Sequence, residues 1–108
     1  MLFGSYSITL VNISFFLRMK TIAITVKGMV QGVGFRYFVM RQANEIGVNG
    51  FVKNLPNGDV YIEASGTNSQ LEQLVFLCNQ GPAHSNVENV QVKDIQQSFD
   101  VTGFQILG

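Results

Sequence analysis

The run KGMVQGVGFR, Lys27 to Arg36, gathers the residue types that hold a phosphoryl group. Gly32 and Gly34 reach backbone angles that other residues resist, and they place no side chain in the way of a ligand. The main-chain N–H groups of Gln31, Gly32, Val33, Gly34, Phe35 and Arg36 can therefore converge as a nest around an anion. A helix beginning near Phe35 adds unpaired N–H donors and the positive end of its dipole. Arg36 falls in the first helical turn, where side chains lean back toward the N-terminus. Its guanidinium can curl over the loop and bind two phosphoryl oxygens at once. By itself the loop can also be read as a glycine-rich connector whose arginine makes a surface ion pair.

What the loop lacks narrows the chemistry. It has no Gly-Lys-Ser/Thr ending, so it is not a nucleotide-binding Walker loop. Tyr37 stands where a dinucleotide fingerprint needs its third glycine. A cysteine phosphatase would carry its nucleophile six positions before the arginine, and that position is Val30. The sequence has no cluster of Asp, Glu or His at metal-ligand spacing. Phosphoryl transfer at such a loop is expected to use water directly, with no metal and no phosphocysteine.

Asn54 is the second candidate. A right-handed strand–helix–strand connection makes the first two strands parallel, so their C-terminal ends share one edge of the sheet. With one strand between them those ends lie roughly 10 Å apart, a gap the Gly-rich loop can span. An amide both donates and accepts hydrogen bonds, so Asn54 can orient a water against a bound phosphorus. An Asn before a turn is also a common structural choice.

The elements that must position these residues follow from periodicity. Thr21 to Lys27 alternates Ile22, Ile24 and Val26 with Thr21, Ala23 and Thr25, as a half-buried strand does. Phe35, Phe38, Val39, Ala43 and Ile46 sit at helical spacing, and Gly47 supplies the stop. Gly50 to Leu55 and Asp59 to Ala64 read as strands joined at Pro56-Asn57-Gly58, a hairpin signal. A second helix carries Leu71, Leu74, Val75 and Cys78 on one face and ends before Gly81-Pro82. Ser69 with Glu72 is expected as its capping box, with Thr67 and Gln70 as the competing pair. Val87 to Ile95 and Gly103 to Leu107 complete the strands. The order, βαββαβ with a short terminal strand, predicts a ferredoxin-like α/β sandwich: two helices on one face of a mostly antiparallel sheet.

The totals agree with one compact domain. The chain has 108 residues, 46% hydrophobic and 13% charged, with seven basic residues balancing seven acidic ones. That neutrality argues against broad nucleic-acid binding. Cys78, the single cysteine, cannot form an internal disulfide and is read as a buried helix residue in a reducing compartment, the cytoplasm. Met1 to Leu17 carries no charge, but polar residues interrupt it and it is too short to span a membrane. It has neither the basic start nor the cleavage site of a signal peptide. Residues 1–18 are expected to be an extension and 19–108 the domain, against the alternatives of an added edge strand or a membrane-associating tail.

Together KGMVQGVGFR, Gly50-Phe51-Val52-Lys53-Asn54, Asn57-Gly58-Asp59-Val60, Gly81-Pro82 and Gly103-Phe104-Gln105-Ile106 resemble the acylphosphatase family in motif, spacing and order. The resemblance implies hydrolysis of small-molecule acyl phosphates without a cofactor, catalysed by the residues falling on Arg36 and Asn54. Inorganic phosphate would be product and inhibitor, and the protein a monomer that engages neither nucleic acid nor a membrane. Met29 and Pro56-Asn57 depart from the family pattern, and the extension has no family counterpart. Two other readings share the fold. A carbamoyl-phosphate-handling module belongs to larger enzymes. An RNA-binding module would expose aromatics such as Phe51 and Tyr61, but Lys53 is the only basic residue near them. His84, the only histidine, is read as an exposed loop residue.

Overall fold

The computed structural model describes residues 19–97 and 102–108, so the expectations for residues 1–18 fall outside what it describes. Among the described residues, five strands and two helices follow in the expected order: β1 (Lys20–Met29), α1 (Phe35–Ile46), β2 (Asn49–Asn54), β3 (Val60–Gly66), α2 (Asn68–Gln80), β4 (Asn86–Ile95) and β5 (Phe104–Leu107). The sheet order is β4-β1-β3-β2-β5. β3 runs antiparallel to both β1 and β2, which makes those two parallel to each other with one strand between them. β5 joins the edge parallel to β2. This is the ferredoxin-like sandwich that the sequence predicts.

The strand alternation decides which face is covered. Ile22, Ile24 and Val26 of β1 enter one core with Val52 of β2 and Val60 and Ile62 of β3. The helices bring Phe35, Val39 and Ala43 from α1 and Leu71, Leu74 and Cys78 from α2 to the same core. The helices touch each other, α1 lying over β2 and β5 and α2 over β1, β3 and β4.

Two local expectations are revised. Thr21 and Ala23, taken as the outward face of a half-buried strand, are buried at 7% and 3% exposure. β1 is flanked on both sides, by β3 and β4, so its small outward residues are enclosed by neighbours. Thr21 Oγ1 also bonds Ser65 Oγ and donates to the Gln97 carbonyl. The capping box of α2 is the competing pair: Thr67 Oγ1 accepts from Gln70 N, and the Gln70 side chain accepts from Thr67 N. β3 runs to Gly66, which leaves Thr67 at the N-cap and puts Ser69 inside the first turn.

Candidate active site

β1 shifts register against β4 between Lys27 and Gly28, and the loop that follows Met29 enters α1 through two left-handed residues, Gly32 (φ 75) and Gly34 (φ 78). A Cβ added at either would meet nothing within 4 Å, so glycine is needed there for the backbone angle and the open side faces solvent. Gly34 is also the N-cap of α1, and no side chain caps it. No acidic residue occupies the first turn of α1. Its first N–H donors and positive dipole end are thus left for an outside anion, whereas α2 closes its own N-terminus with Thr67 and Gln70.

A cleft of about 180 Å³ opens at this uncapped end, lined by Val30, Gly32, Gly34, Phe35, Arg36, Tyr37, Asn54 and Ile106. The two residues singled out for catalysis therefore meet in one depression. Arg36 arrives from the first turn of α1. Its Nη1 donates to the Gly108 main-chain oxygen at 3.3 Å, a long bond that leaves the rest of the guanidinium fork for a ligand. Asn54 is the last rung of β2, paired with Val60. It shares parity with the fully buried Val52, so its side chain points into the helix layer, under the start of α1. Its Oδ1 is buried and has no hydrogen-bond partner among the described residues. A buried carbonyl left unpaired in a cleft is expected of an amide whose partner is a ligand or water.

The proposed nest residues separate by side chain. Gly32, Gly34, Phe35 and Arg36 face the cleft. Val33 packs on the core instead, and the Gln31 side chain reaches to the Leu55 and Asp59 carbonyls, so any share these two have in the nest comes from the main chain. Sequence reasoning did not pick out Val30, Tyr37 or Ile106 as walls. Tyr37 carried a signal, being an aromatic next to the arginine that helical phase turns outward, and it is 57% exposed. Val30 and Ile106 are ordinary core-type residues with nothing in sequence to mark them.

Among the described residues no three His, Cys, Asp or Glu side chains converge as a metal site. His84 is exposed beyond α2 in a left-handed conformation (φ 71), outside the cleft. Lys53 lies on the opposite face of the sheet, 5.9 Å from the Phe51 ring and 5.8 Å from that of Tyr61. Glu63 accepts the Tyr61 hydroxyl on that face, placing a carboxylate where an RNA-binding sheet would want positive charge. No helix among the described residues is long and apolar enough to cross a membrane.

The family model described as Acylphosphatase matches residues 22–106. An acylphosphatase of Chlorobaculum tepidum is 40% identical over 88 residues, which span 82% of this chain and 96% of that protein. One of Archaeoglobus fulgidus is 45% identical over 87 residues, 77% of this chain and 98% of that one. The solved structure of an acylphosphatase from Coxiella burnetii superposes with a TM-score of 0.79 at 34% identity, covering 84% of this chain and 95% of its own.

Proposed function

The chain belongs to the acylphosphatase family, and from that premise we propose that Arg36 and Asn54 hydrolyse acyl phosphates by directing water onto phosphorus. The observation that carries the reading is the cleft itself, where an uncapped helix start, a guanidinium and an unpartnered buried amide oxygen converge.

The phosphoryl group sits in the loop, with its oxygens on the main-chain N–H groups of residues 31–36 and on the Arg36 fork. These donors are fixed before the substrate arrives, so charge shifting among the phosphoryl oxygens is met without reorganisation. The Asn54 amide holds a water in line with the P–O bond to be broken. As the water oxygen bonds to phosphorus, the bond to the acyl oxygen breaks and its electron pair leaves on the carboxylate. Carboxylic acids ionise near pH 4, so the leaving group needs no proton from the protein. The water's proton passes to a phosphoryl oxygen of the substrate. A substrate dianion and water give one carboxylate and one dihydrogen phosphate, with no phosphoenzyme and no metal in the sequence.

Around this reaction the reading adds inorganic phosphate as a competitive inhibitor, a monomeric cytoplasmic enzyme, and residues 1–18 as an extension outside the domain. Comparing benzoyl phosphate with p-nitrophenyl phosphate, each with and without EDTA, tests it. Benzoyl phosphate is expected to be hydrolysed and the ester left intact, because the ester's poorer leaving group lacks an acid to protonate it. EDTA should change neither rate, and inorganic phosphate should compete. Activity lost to EDTA and restored by a divalent cation would refute the metal-free route.

A further inference from the structure

We propose that the Gln31 side chain is a positioning residue, a brace that fixes the loop carrying Arg36 to the hairpin carrying Asn54. The inference rests on the reading of Asn54 as the holder of the attacking water. Gln31 Nε2 donates to the Leu55 carbonyl at 2.8 Å and to the Asp59 carbonyl at 2.8 Å. A side-chain amide has two N–H protons, and both are used. Leu55 follows Asn54 in the chain, and Asp59 precedes Val60, the ladder partner of Asn54. The two acceptors therefore bracket the rung that carries the amide.

A second tie converges on the same turn. Lys27 Nζ meets Asp59 Oδ2 at 2.7 Å, and Asn57 Nδ2 donates to that oxygen at 3.1 Å. Lys27 lies at the entrance of the loop and Gln31 within it. The loop needs such ties because β3 separates β1 from β2, so no ladder hydrogen bond links the strand that leads into the loop to the strand that ends at Asn54. In-line attack depends on this separation, and a misplacement of about 1 Å can cost roughly 10²-fold. Gln31 joins the halves of the site at a sequence distance of 24 and 28 residues.

A double-mutant cycle on benzoyl phosphate turnover tests the brace, with folding checked by circular dichroism. Gln31→Ala removes both bonds. Gln31→Glu keeps the length but at neutral pH presents only acceptors to two carbonyl oxygens, and it carries the test if the alanine variant does not fold. Both should lower kcat by roughly 10-fold or more, a tenth of what a 1 Å displacement can cost, and the competitive inhibition constant of inorganic phosphate should barely move. In an Asn54→Ala background, Gln31→Ala should have little further effect on kcat, since there is no held water left to misplace.

Three results would overturn the inference. One is a full-sized additional loss in the Asn54→Ala background. Another is phosphate affinity falling in step with kcat, which would make Gln31 a support of the anion cradle alone. The third is an unchanged kcat in both Gln31 variants while Asn54→Ala is impaired. If Asn54→Ala itself keeps full turnover, the assignment of the water fails first and the brace falls with it.

Discussion

Arg36 brings a guanidinium with five N–H donors to the cleft, with one donor lent to the Gly108 main chain, whereas Asn54 brings a neutral amide whose oxygen has no partner among the described residues. Replacing each by alanine should therefore have different consequences. Arg36→Ala is expected to weaken phosphate inhibition and to lower turnover by at least the roughly 10²–10³ typical of one lost charge-stabilising donor. Asn54→Ala is expected to lower turnover with phosphate inhibition nearly unchanged, measured by steady-state kinetics on folded variants. Phosphate binding lost with turnover preserved would make Asn54 a substrate ligand instead. That both residues line one cleft was legible in the sequence, Arg36 from its place after the glycines and Asn54 from its place at a strand end. The direction of Asn54 was legible too, from its parity with Val52. The second role of Gln31 was not, because its partners lie 24 and 28 residues away and nothing local marks them.

At the scale of elements, α1 has the bounds read from sequence, because Gly34 and Gly47 punctuate it with left-handed backbone at both ends. The start of α2 depended on where β3 stopped, a matter of sheet pairing that local propensity cannot decide, and so the capping pair was the other of two candidates. The inner face of α2 carries Cys78, fully buried, whose thiol burial pushes up to about 12 from 9.0. The native state keeps this proton where the unfolded chain loses it. The associated stability is complete below about pH 9 and is lost as pH rises toward 12. Tyr61, raised to about 12 by partial burial and by Glu63, acts in the same direction. Urea titrations are expected to give falling unfolding free energy above pH 9, with a shallower fall in Cys78→Ala. A thiol reagent should leave native Cys78 unlabelled at pH 8, and rapid labelling there would contradict its burial.

Over the whole molecule, the alternation of strands and helices was enough to read the two-layer sandwich, because each element's apolar face admits one covered side of the sheet. What the sequence did not reveal is long-range: the enclosure of Thr21 and Ala23 by flanking strands, and the ties that close the loop onto the β2–β3 turn. β1 begins at Lys20 and finds both neighbours, β3 and β4, within the described residues. A chain beginning at Met19 is therefore expected to fold and hydrolyse benzoyl phosphate like the full chain. A loss of several kcal/mol in denaturant titration, a large part of the ~5–15 kcal/mol that holds a typical domain folded, would show that residues 1–18 belong to the domain. Attack on phosphorus, the step proposed for the loop, Arg36 and Asn54, is tested most directly by hydrolysing benzoyl phosphate in ¹⁸O-labelled water and locating the label by mass spectrometry. The expected result is one labelled oxygen in inorganic phosphate and none in benzoate. Label in benzoate would mean that water attacks the carbonyl carbon, and would contradict the roles given to both residues.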